Sequence, residues 1–133
     1  MKNDLTRNLA AAEIYLKARD DVAFAYLFGS MAGGDSTPLS DVDIAVHLTE
    51  GRFSEKRLEI LGDLNDILST DKLDLVILNT APQGLKARII RTRVVLADNM
   101  PFVRHAFESG TIRTYMDFSK IESRILEQRY LHG

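Results

Sequence analysis

Residues 22–48 read VAFAYLFGSMAGGDSTPLSDVDIAVHL, and their punctuation sets the fold. Val22 to Phe28 is an unbroken apolar and aromatic run with an acidic residue before it and a glycine after it. A short run of this kind predicts a strand buried on both faces. Gly29 to Ser40 then gathers Gly29, Gly33, Gly34 and Pro38 among serine, threonine and aspartate, which predicts a loop. From Asp41 to Leu48 the chain alternates. Val42, Ile44, Val46 and Leu48 point one way, and Asp41, Asp43, Ala45 and His47 the other, as along a second strand.

Helical spacing surrounds this core. Before it, Leu5, Leu9, Ala12 and Leu16 step at helical intervals, with Asn3 or Asp4 as cap. After it, a helix is expected from Ser54, the cap, to Leu68, with Leu58, Leu61, Leu64 and Leu68 facing inward. Lys72 to Leu78 predicts a third strand with Leu73, Leu75 and Ile77 on one face and Asp74 on the other. A short helix from Pro82 to Arg91 and a fourth strand from Arg93 to Ala97 follow. Pro101 to Tyr130 reads as helical, with Val103, Phe107, Tyr115, Phe118, Ile121 and Ile125 as its apolar stripe and Gly110 as a point of division. The order predicts an α/β or α+β domain, a mixed central sheet covered by helices. One domain spans residues 1–133, with a core over about 20–98 and a helical segment over about 100–130.

Composition narrows the partners. The 133 residues carry 17 basic and 19 acidic side chains, a net charge of −2. Binding to a nucleic-acid polymer draws on many phosphate-neutralising cations, so direct nucleic-acid binding is not expected. The absence of cysteine excludes disulfides and thiolate metal sites. The N-terminal residues lack the apolar stretch of a signal peptide, and no apolar run approaches the ~20 residues of a membrane span. A cytoplasmic protein without membrane contact is the expectation.

The chemistry concentrates at the loop. Asp41 and Asp43, two residues apart on a strand, share a face with Cα atoms roughly 6.5–7 Å apart. Two such carboxylates repel when desolvated, and a hard cation such as magnesium relieves the repulsion. Asp74 joins them if the second and third strands are neighbours. Ahead of them, Gly29 admits a phosphate close to the backbone, and Ser30 adds a hydroxyl and an N–H. Neither half is specific: an acidic strand face yields D-x-D without function, and Gly-Ser is ordinary turn chemistry. In sequence they form G-S-x10-D-x-D, a phosphate-binding turn followed by a paired-carboxylate strand. His47, on the carboxylate face, reads as a rim or hydrogen-bonded histidine before a ligand. His105, His132, Arg113, Arg124 and Arg129 read as surface residues, and Tyr115 and Tyr130 as packing residues.

This pattern resembles the signature of polymerase-β-like nucleotidyltransferases. Leu27 to Val46 (LFGSMAGGDSTPLSDVDIAV) is similar to the minimal nucleotidyltransferase (MNT) antitoxins of HEPN–MNT toxin–antitoxin pairs. The similarity extends less closely to Leu73–Leu78, and the C-terminal third is not diagnostic. The resemblance implies that Gly29 and Ser30 bind the triphosphate and that Asp41, Asp43 and Asp74 hold magnesium, two ions in all. The resemblance implies that Asp74 completes the metal site, either as a ligand only or also as the base that helps deprotonate the incoming hydroxyl. ATP would be the substrate and a cognate HEPN ribonuclease toxin the partner, silenced by AMP transfer to a tyrosine hydroxyl in a type VII-like toxin–antitoxin pair. Many relatives carry basic loop residues where this chain has Met31 and Gly33, so Lys72, Arg88 or Arg91, or magnesium alone, must offset the triphosphate charge. Two other readings compete: an antitoxin that neutralises by binding alone and senses nucleotide, and a nucleotidyltransferase for small molecules of the aminoglycoside type.

Overall fold

The structure, a computed structural model, describes residues 2–29, 32 and 41–131, with side chains over 5–29, 32 and 41–117. The elements run α1 (Lys2–Ala18), β1 (Val22–Phe28), β2 (Val42–Leu48), α2 (Phe53–Leu68), β3 (Leu73–Ile77), a 3-10 turn (Leu78–Thr80), α3 (Gln83–Thr92), β4 (Val94–Asp98) and α4 (Pro101–Leu131). The four strands form one mixed sheet in the order β3-β2-β1-β4. β1 is antiparallel to both of its neighbours, whereas β2 and β3 are parallel. The apolar run of β1 follows from this place: it is an inner strand contacted from both faces, and all its residues are buried.

Side-chain alternation sends alternate residues into two apolar layers. Val42, Ile44, Val46 and Leu48 of β2 join Val22 and Leu27 of β1 against Ala12 and Leu16 of α1 and Ile60, Leu64 and Leu68 of α2. On the opposite face Phe24, Tyr26 and Phe28 of β1 and Ala45 of β2 meet Ile89 of α3 and Phe107 of α4. Each fully buried Leu, Ile or Phe contributes about 1.5–3 kcal/mol. The carboxylate-bearing face of β2 is therefore the face under α3 and α4.

α4 is held to the sheet by a buried polar cluster. The Tyr26 hydroxyl donates to Glu108 Oε2 at 2.6 Å, and Arg93 Nε donates to the same oxygen at 2.7 Å. Arg104 Nη1 lies 3.1 Å from Glu108 Oε1. Burial pushes the Glu108 carboxyl upward, but the Tyr26 hydroxyl and the two guanidiniums outweigh it and hold the group below its ordinary value.

Several boundaries differ from the sequence expectation. α1 begins at Lys2 and takes in Asn3 and Asp4, so neither caps it. α2 begins at Phe53 behind Arg52, whose backbone is left-handed (φ 64°) and whose side chain makes no capping bond; Ser54 lies inside the helix. The inner face of α2 is centred on Ile60, Leu64 and Leu68, and Leu58 is 67% exposed. A leucine-only stripe misplaced the phase by admitting Leu58, one position off the stripe that Leu61, Leu64 and Leu68 mark. β3 stops at Ile77 because Leu78 opens the 3-10 turn, and α3 and β4 each sit one residue later than expected. Gly110 does not divide α4, which is continuous; a single glycine costs a helix only about 1 kcal/mol. No helix among the described residues is long and apolar enough to cross a membrane.

Candidate active site

Two neighbouring strands bring the acidic residues together. Asp41 is the residue before β2 and is exposed; Asp43 is the second residue of the strand and is half-buried. Asp74 on β3 is in register with Asp43 across the parallel pair, which sets their Cα atoms about 4.8 Å apart on one face. Asp74 is exposed. The carboxyl of Asp43 is pushed upward, first by burial, then by the charges of Asp74 and Asp41, against the opposing pull of Arg88.

Gly29 closes the site from β1. Phe28 pairs with Asp43, so the chain turns away next to the carboxylate. Gly29 takes the turn at φ +75°, where an added Cβ would lie inside van der Waals distance of Asp43 Oδ2. Only glycine combines that backbone conformation with that approach. The Gly29 N–H donates to Thr92 Oγ1 at 3.4 Å, and the Thr92 hydroxyl donates to the Arg88 carbonyl at 3.3 Å. The last turn of α3 thus braces the start of the loop. Ser30, Met31 and Gly33 lie outside the described residues, as do the side chains of Phe118, Ile121, Arg124, Ile125, Arg129, Tyr130 and His132.

Arg88 is the cation that acts on Asp43, ahead of Lys72 and Arg91. Thr92 has no local signal in the sequence, because its contact with Gly29 spans 63 positions. His47 is half-buried and is not hydrogen-bonded at Nδ1. Its ring stacks on Phe24 at 4.9 Å and meets the Phe107 edge at 5.5 Å, and Nδ1 is buried without a partner. Burial, with Lys86 nearby, lowers its pKa. His105 is exposed, and so are Arg113 and Tyr115, the latter 44% exposed and not a packing residue.

The donor set suits a hard divalent cation. It consists of carboxylate oxygens, crowded by like charge and opposed by one arginine. Among the described residues, however, no three acidic or imidazole groups stand close enough to share an ion as placed. The expected convergence of Asp41, Asp43 and Asp74 is thus one of mutual electrostatic reach, with Asp43 and Asp74 as the adjacent pair. That still fits magnesium, which is commonly held by one or two carboxylates and completed by substrate phosphates.

Residues 12–101 match the family described as polymerase beta, nucleotidyltransferase. No curated protein matches the chain significantly. Among solved structures, a chain of a toxin–antitoxin complex with AMP-PNP superposes with a TM-score of 0.72 at 25% identity, over 90% of this chain and 96% of the other. A chain of the MntA–HepT toxin–antitoxin complex gives 0.66 at 24% identity over 90% and 95%. A third belongs to the tri-AMPylated Shewanella oneidensis HEPN toxin in complex with MNT antitoxin, with 0.67 at 23% over 90% and 94%. The last two share the fold.

Proposed function

The chain belongs to the polymerase beta nucleotidyltransferase family, and on that premise we propose that it is an antitoxin that moves AMP from ATP to a tyrosine hydroxyl of a cognate HEPN toxin, silencing it. The observation that carries this reading is the Asp43–Asp74 register beside Gly29. Crowded carboxylates with one arginine against them, beside a glycine turn, are what metal-assisted transfer from a triphosphate can use. The partner and the transferred group are supported by the toxin–antitoxin complex with AMP-PNP.

On this reading the acceptor oxygen attacks the α-phosphorus of ATP. A new P–O bond forms, the bond to the bridging oxygen of the β-phosphate breaks, and diphosphate leaves. Gly29 lets the phosphates approach the backbone, and Ser30 adds donors to them. Asp41, Asp43 and Asp74 would hold magnesium, two ions in all. Bound there, magnesium would lower the pKa of the acceptor hydroxyl and neutralise the leaving diphosphate. Asp74, exposed, is open to take the acceptor proton if it is not fully engaged as a ligand. Arg88 tempers the charge around Asp43 before substrate arrives. Residues 20–98 act as the catalytic core of a single cytoplasmic domain, and the segment from about residue 100 adds to it.

The test is intact-mass spectrometry of the HEPN partner after incubation with this protein, ATP and magnesium. Mass increments of AMP on the partner, absent with Asp43→Asn, are expected. A stable complex whose partner gains no mass would replace this reading with neutralisation by binding alone. Transfer only to a small hydroxylated molecule would point to the aminoglycoside-type reading.

A further inference from the structure

Beside the carboxylates, on the other flank of α3, lies an open groove of about 450 Å³ lined by Ala87, Ile90, Arg91, Ile112 and Tyr115. Its size is in the range of small-ligand sites. Its position is what matters. Ala87 and Arg91 line it, while their immediate chain neighbours Arg88 and Thr92 face Asp43 and Gly29. Consecutive residues of a helix diverge by about 100°, so one turn of α3 forms a ridge with the carboxylates on one side and the groove on the other.

We propose that this groove receives the purine base of the nucleoside triphosphate whose phosphates lie at Gly29 and Asp43, and that it does so with little discrimination between adenine and guanine. The proposal rests on the nucleotidyltransferase reading and deepens it. The walls are apolar: Ala87, Ile90 and Ile112 give a base a desolvated face. Tyr115, 44% exposed, offers a ring on which any base can stack, and Arg91 offers a cationic plane on the side nearest the phosphates. Among the described lining residues the only polar side-chain groups are the Arg91 guanidinium and the Tyr115 hydroxyl. The described lining therefore supplies no side-chain amide or carboxylate to read the base edge, and stacking tolerates either purine.

Isothermal titration of the full chain in magnesium with ATP, GTP and inorganic tripolyphosphate tests this. Tyr115→Ala should weaken ATP roughly tenfold, leave tripolyphosphate unchanged, and be rescued by Tyr115→Phe. ATP and GTP should bind within about threefold of each other. The proposal is overturned if Tyr115→Ala leaves ATP affinity intact, if it alters only the affinity for a protein partner, or if ATP is preferred over GTP by tenfold or more. Wild-type protein that binds neither ATP nor tripolyphosphate would overturn the parent reading as well, so the two failures are distinguishable.

Discussion

Two acidic sites lie on the same side of the sheet, and they are built in opposite ways. Glu108 is buried and receives a tyrosine hydroxyl and two guanidiniums, so its charge is held. Asp43 is half-buried and faces two further carboxylates with one arginine against them, so its charge is resisted. The first arrangement is complete without anything added. The second is electrostatically deficient and gains from a cation. Burial of a carboxylate does not by itself mark function; the missing counter-charge does.

The largest expected effect breaks the deficient site. Asp43→Asn should lower AMP transfer by more than ~100-fold, beyond the 10–100-fold that loss of a mere support to a metal ligand costs. It should also raise the melting temperature of the metal-free protein. Magnesium should stabilise the wild type and not the variant, which a melting titration reads directly. Gly29→Ala comes next. Its Cβ must displace the Asp43 carboxylate or the turn, and the left-handed backbone adds about 1–2 kcal/mol. Activity should fall further than stability, measured by transfer assay and chemical denaturation on the same preparation.

Breaking the satisfied site does the reverse. Glu108→Ala strands Tyr26 and two arginines and should cost roughly 3 kcal/mol of stability, with the nucleotide-dependent chemistry affected only through folding. Acid separates the two sites by sign. The lowered pKa of Glu108 contributes stability that is complete above about pH 4.3, the ordinary glutamate value, and is lost as pH falls through its folded value. The raised pKa of Asp43 does the opposite: its contribution is complete below about pH 3.9 and is lost as pH rises through its folded value. Melting curves across pH should therefore show Glu108→Gln least stable relative to wild type at neutral pH and converging with it in acid. Asp43→Asn should be more stable than wild type at neutral pH and also converge in acid. The smallest effect belongs to Thr92→Val, which removes two long hydrogen bonds, to the Gly29 N–H and to the Arg88 carbonyl, and should cost no more than about 1 kcal/mol.

Much of this was legible in the chain because it is local. Apolar continuity marked β1 from Val22 to Phe28, and alternation marked the two faces of β2. The same alternation placed Asp43 and Asp74 off the α1/α2 core, and their adjacency then needed only the strand order. What was hidden is long-range or depends on backbone conformation. Glu108 meets Tyr26 across 82 positions, and nothing near either residue announces the other. His47 looked polar by identity, yet two phenylalanines far apart in sequence enclose it. The start of α2 is set by the left-handed Arg52 and not by Ser54, which had the right chemistry in the wrong place.

The parallel pairing of β2 and β3 makes the sheet a measuring grid for the acidic residues. Along the strand the interval is fixed at roughly 6.5–7 Å and across it at about 4.8 Å, and both are set by backbone hydrogen bonding, independent of which side chains fill the rest of the strands. Sequence can drift widely around such a grid as long as register is kept. A slip of one residue in β3 would carry Asp74 to the opposite face, leaving every amino acid in place and the site erased.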